Sequence, residues 1–111
     1  MKLIVQGRHG EVTDALRGYT QLKVERFSRF FANITKVDVR YDSNPNGTYE
    51  AKVVVHLPKH NTIVCSETEK TLTAALDLAT ESVERRLNDF KEKIRNKGDR
   101  ERVTRRLMRE S

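Results

Sequence analysis

Residues 37–66 read VDVRYDSNPNGTYEAKVVVHLPKHNTIVCS, and their side-chain period decides the fold. Val37, Val39 and Tyr41 alternate with Asp38 and Arg40, the two-residue repeat of a half-buried strand. Asn44-Pro45-Asn46-Gly47 is turn chemistry. The alternation resumes with Tyr49, Ala51, Val53, Val55 and Leu57, breaks again at Pro58 to Asn61, and ends in a short third strand, Thr62 to Ser66. Three strands joined by two short turns predict an antiparallel meander.

The flanks follow a different period. Upstream, Lys2 to Gly7 reads as a strand, and Thr13-Asp14 offers an N-cap and a first-turn acid. Leu16, Tyr19, Val24, Phe27, Phe30 and Phe31 then fall on one helical face, predicting a helix from about 14 to about 31. Downstream, Leu72, Leu76, Ala79, Val83, Leu87, Phe90 and Ile94 form an apolar stripe, and Lys97-Gly98 supplies a helix stop. The order β-α-β-β-β-α predicts an α+β fold, a four-stranded sheet with two helices packed on one face. Residues 1–98 make one domain. Residues 99–111 are a basic C-terminal tail, either disordered or a helical extension, whose arginines are expected to add binding affinity more than folding stability.

Length and composition narrow the class. The 111 residues suit a single core, hydrophobic residues make up 36%, and the lone Cys65 allows no intrachain disulfide, which suits a reducing cytoplasm. No run is long enough to span a bilayer, and only Leu3 to Val5 are strongly apolar near the N-terminus, so neither a membrane nor a secretory signal is expected. The net charge is +6 and unevenly spread: +3 over residues 1–33, −1 over 34–69 and +4 over 70–111. An uneven basic distribution is the footprint of a polyanion binder.

Catalysis finds no support in the residues. His56, His60 and Cys65 lie near one turn, but no metal-ligand spacing, nucleophile motif or phosphate-binding loop accompanies them. No enzyme, cofactor, metal or small-molecule substrate is expected. The basic residues give a clearer pattern. Lys23, Arg26 and Arg29 step round one edge of the first helix, with Arg17 on its opposite flank and Arg8 in the preceding loop. Arg85, Arg86, Lys91 and Lys93 cluster on the last helix, interleaved with Glu84, Asp89 and Glu92. Residues three or four apart on a helix can address successive phosphates. A basic α-β-β-β-α core is the layout of double-stranded-RNA-binding domains, here with an extra leading strand. The strands carry no exposed aromatic motif for stacking bases, so recognition is expected through phosphates and RNA shape.

Gly7-Arg8, then Thr13-x-Ala15-Leu16-Arg17-x-Tyr19-x3-Lys23-x3-Phe27, resembles the first half of the ribosome hibernation promoting factors, also called ribosome-associated translation inhibitors. Ala74-Ala75-Leu76-Asp77, Val83-Glu84-Arg85-Arg86-Leu87 and Phe90-Lys91-x-Lys93 are similar to that family's last helix, and together the match covers about residues 1–97. The resemblance implies a protein that binds the small ribosomal subunit through its rRNA between head and body. There it would block the messenger channel and the tRNA sites under stress or in stationary phase. It implies rRNA contacts at Lys23, Arg26 and Arg29 on the first helix and at Arg85, Lys91 and Lys93 on the last. Ser82 and Asp89 stand where members are often basic, so the first helix is expected to contribute more. Long members add a dimerisation domain that is not expected within these 111 residues, and the oligomeric state is left open. The rival readings are a structured-RNA module acting away from the ribosome and a protein-interaction or transcription-modulating role.

Overall fold

The computed structural model describes residues 1–110, with side chains through Arg95. Along the chain lie β1 (Lys2–Gly7), α1 (Asp14–Glu25), α2 (Phe27–Phe30), β2 (Lys36–Ser43), β3 (Tyr49–His56), β4 (Thr62–Glu69) and α3 (Leu72–Glu110). The strands form one sheet in the order β1-β2-β3-β4, with β1 parallel to β2 and the other two pairings antiparallel. The expected architecture, β-α-β-β-β-α with the helices on one face, is the one observed, with the meander in place. The α3 bounds pass the Lys97-Gly98 stop expected from the sequence. The expectations placed on the side chains of residues 99–111 lie outside the described residues.

Register converts the alternation into two distinct faces. Val37 pairs with Val55, Val39 with Val53 and Tyr41 with Ala51, while Val53 and Val55 meet Cys65 and Ile63 on β4. All of these are buried, together with Leu16, Val24 and Phe27 from α1 and α2 and Ala75, Leu76, Ala79, Val83 and Leu87 from α3. The other parity, including Asp38, Arg40, Lys52, Val54 and Val64, faces away from the helices and stays exposed or half-buried. Burying these aliphatic side chains between sheet and helices supplies the main folding drive, so truncating a fully buried one such as Leu87 to alanine costs about 2–5 kcal/mol.

The helix caps follow the sequence. The Thr13 hydroxyl accepts from the Leu16 N–H at 3.1 Å, and Thr71 caps α3 by accepting from the Ala74 N–H at 3.1 Å. The first helix is not the single element expected over 14–31. It breaks at Arg26 into α1 and the short α2. There the Ser28 hydroxyl donates to the Glu25 carbonyl at 2.9 Å, and the Arg29 N–H reaches the Arg26 carbonyl three residues back at 3.1 Å. A side-chain donor and a tightened turn have replaced the regular helical ladder. β4 runs three residues past its expected end at Ser66.

Two further departures concern burial. Thr20 is fully buried beneath α1, its hydroxyl 2.7 Å from the Leu16 carbonyl and 2.5 Å from the Tyr41 hydroxyl, so it enters the core with its hydrogen bonds met. Burial in turn pushes the Tyr41 phenol up to about 12. Ile94, expected on the buried stripe, is 51% exposed, because α3 has already run past the sheet.

Candidate nucleic-acid interface

β1 and β4 both end at the same end of the sheet, so the helices that follow them, α1 and α3, run side by side in the same direction. Their seam is polar at its start and aromatic at its finish. The Tyr19 hydroxyl donates to Asp77 Oδ1 at 2.5 Å, and Lys23 Nζ lies 3.2 Å from the same oxygen while resting 5.6 Å from the Tyr19 ring centre. The hydrogen bond to Asp77 raises the pKa of Lys23 and of Tyr19 above their ordinary values, so Lys23 stays charged. One turn further, Arg26 Nε stands 3.4 Å from Glu84 Oε1. The seam closes where Phe31 meets Phe90 edge to face, ring centres 5.5 Å apart.

The nine residues singled out from the sequence do not form one patch. Lys23 and Arg26 lie in the α1–α3 seam, already facing carboxylates of α3. Arg85 joins them: with Phe30, Glu81, Glu84 and Asn88 it lines a shallow pocket, and it donates to the Ser82 hydroxyl at 3.3 Å. Arg29 on α2 and Lys91 and Lys93 on α3 are exposed. Arg86 turns the other way and donates to the Val64 carbonyl of β4 at 2.9 Å. Arg17 sits on the β1 side of α1, beside Leu3, Val5 and Gln21. Arg8 lies at the opposite end of the molecule from Lys91, held 3.4 Å from Asp42.

Topology sorts the charge. At the end where β1 starts, the chain brings together Lys2, Lys36, Arg26, Arg29, the turn carrying Lys59 and His60, and the overhang of α3 with Lys91, Lys93 and Arg95, outnumbering the acids Glu25, Asp38, Glu84, Asp89 and Glu92 of the same end. At the other end gather Glu11, Asp14, Asp42, Glu50, Glu67, Glu69 and Asp77. Arg8 and His9 sit there against Asp42. The sequence reading missed Lys36, Lys59 and Arg95 at the basic end, because they belong to separate elements that only the fold brings together. It also missed Arg40 and Lys52, cross-strand partners on the outer sheet face that line a pocket with Arg8, Asp42 and Glu50. Alternation marks such residues as outward-facing and nothing more.

His56 faces outward, 3.0 Å from Asp38, while Cys65 is buried on the helix face with its thiol pushed up by burial. The sheet therefore separates two of the three side chains considered as ligands. Among the described residues no three His, Cys, Asp or Glu side chains converge as a metal site, and no helix of the described residues is long and apolar enough to cross a membrane. What the basic end offers chemically is several exposed cations from different elements, among them Arg29, Lys59, Lys91 and Lys93.

Comparison with known proteins matches residues 3–95 to the family described as Sigma 54 modulation protein / S30EA ribosomal protein. The chain is 32% identical over 97 residues to the ribosome hibernation promotion factor of a Picosynechococcus species, a match covering 84% of this chain and 50% of that protein. It spans about half the length of the curated relatives it matches. The Thermus thermophilus Protein Y N-terminal domain superposes with a TM-score of 0.72 at 27% identity, covering 81% of this chain and 99% of that one. A ribosomal subunit interface protein from Coxiella burnetii shares the fold with a TM-score of 0.76 at 22% identity, covering 83% and 99%.

Proposed function

Because the chain belongs to the Sigma 54 modulation protein / S30EA ribosomal protein family, we propose that it is a ribosome-binding hibernation factor acting by occupation, without turnover. Its target in this reading is the small ribosomal subunit, held through rRNA phosphates, with the messenger channel and tRNA sites blocked while it is bound. The observation that carries the reading is the basic end. Arg29, Lys59, Lys91 and Lys93 come from a short helix, a turn and a helical overhang, yet stand exposed at one end of a domain whose other end is acidic, with Lys36 beside them but paired to Asp38 at 3.6 Å. That polarity orients the protein as it approaches a polyanion, with the basic end leading. The relative named as a ribosome hibernation promotion factor supports the choice of polyanion.

A sucrose-gradient profile of ribosomes with and without the protein tests this directly. The protein should co-sediment with small subunits, and its affinity should fall steeply between about 50 and 200 mM salt, as multi-phosphate contacts do. A salt-independent association, or one that survives nuclease digestion of the rRNA, would replace the phosphate reading with a protein partner. The family description, which also names sigma 54 modulation, makes that the second reading to keep.

A further inference from the structure

The turn between β3 and β4 is built against its own residue types. Lys59 and His60 both take positive φ, 60° and 61°. Two successive positive-φ residues at the centre of a turn are the arrangement for which Asn-Gly is favoured, since a side chain at Cβ crowds the backbone there. His tolerates the conformation better than most side chains, Lys does not. The chain itself supplies the contrast: in the β2–β3 turn, the positive-φ position is filled by Gly47, φ +83°.

Hydrogen bonds hold the turn in this shape. The Leu57 N–H donates to the Asn61 carbonyl at 2.8 Å, and the Asn61 backbone and side-chain amides both reach the Pro58 carbonyl, at 3.4 and 3.0 Å. Lys59 and His60 are themselves exposed, and among the described residues neither is ion-paired. The strained backbone closes the β3–β4 hairpin through these bonds, but none of them uses the Lys59 or His60 side chain. Such strain persists where it fixes a side chain for another purpose. Its surroundings indicate the purpose: the turn leaves the sheet beside the cross-strand row Lys2, Lys36, His56, at the basic end described above.

We propose that the Lys59–His60 turn is a preorganised phosphate-contact site, a second prong beside the α3 overhang, kept in a strained conformation because that conformation aims two basic side chains past the end of the sheet. This rests on the ribosome-binding reading and names RNA phosphate as the ligand. Preorganisation matters here because a contact already fixed in the free protein loses less entropy on binding.

The test replaces Lys59 and His60 together by Asn and Gly (K59N/H60G) and measures two quantities on the full chain. Thermal unfolding should shift upward by a few degrees, since the turn then has the residues its backbone favours. Binding to purified small subunits should weaken by about threefold to tenfold near 100 mM salt, and the slope of log K against log salt should become shallower by roughly one, the signature of a lost phosphate contact. K59R should keep wild-type affinity and slope. Wild-type protein that fails to bind small subunits overturns the function reading itself. Wild-type binding with the double variant unchanged in affinity and slope overturns this proposal alone, and a fall in melting temperature overturns its strain argument.

Discussion

Glu11 is a charged residue that the fold buries at the mouth of β1, 9% exposed, and its surroundings make it an acid sensor for the local structure. Burial by itself raises its pKa, but the backbone N–H groups of Glu11 and His9 and the Ser43 hydroxyl, which donates at 3.0 Å, together hold the carboxyl below its ordinary 4.5. A carboxyl with a depressed folded-state pKa stabilises the fold above its unfolded value, and that contribution is lost as pH falls through the folded value. Glu11→Gln should therefore lower the melting temperature at pH 7 by roughly 5 °C. The gap to wild type should close on titration below about pH 4.5, the ordinary glutamate value. A gap that stays constant with pH would assign Glu11 a packing role instead. Nothing in the sequence marks this residue. Its partner Ser43 lies 32 positions away, and only the parallel pairing of β1 and β2 brings the loop over the strand end.

At the scale of elements, periodicity was legible and pairing between elements was not. The meander could be read because Val37, Val39, Val53 and Val55 alternate without interruption. The break at Arg26 could not, because apolar spacing continues across it to Phe27 and Phe30 while the cause is a hydroxyl–carbonyl bond at Ser28. Glu67, Thr68 and Glu69 extend β4 with no apolar alternation to announce them. The basic flanks of the helices were visible in sequence, but their neutralisation was not: α1 and α3 lie parallel, so Asp77 and Glu84 meet Lys23 and Arg26. This shifts the expected weight of binding toward α3, where Lys91 is exposed and Arg85 bonds a serine. Lys23→Gln with Arg26→Gln should weaken binding to small subunits less than Arg85→Gln with Lys91→Gln. The first pair should instead cost more stability, since it leaves Asp77 and Glu84 without their cations. Surface pairs are worth about 0–1 kcal/mol each, so the stability difference will be small and is best followed by chemical denaturation. A larger binding loss from the first pair would restore α1 as the principal contact.

Taken whole, the molecule is a mixed sheet with helices on one face and charge sorted between its ends, and that sorting needs the connectivity as well as the composition. The sheet also has two unpaired sides, β1 and β4. On β4, Val64 leaves its side chain 42% exposed and directs its carbonyl outward, where the Arg86 guanidinium meets it at 2.9 Å. Arg86, expected from the sequence among the phosphate contacts, spends one guanidinium N–H on this carbonyl. Arg86→Ala should change RNA affinity little and make the protein's sedimentation concentration-dependent, with dimers and larger species rising at tens of micromolar. A monomer at every concentration would show that β4 is protected without it. An unpaired strand is a template on which another chain can continue the sheet. At Val64 the place of that chain's N–H is already taken by a guanidinium from the same molecule.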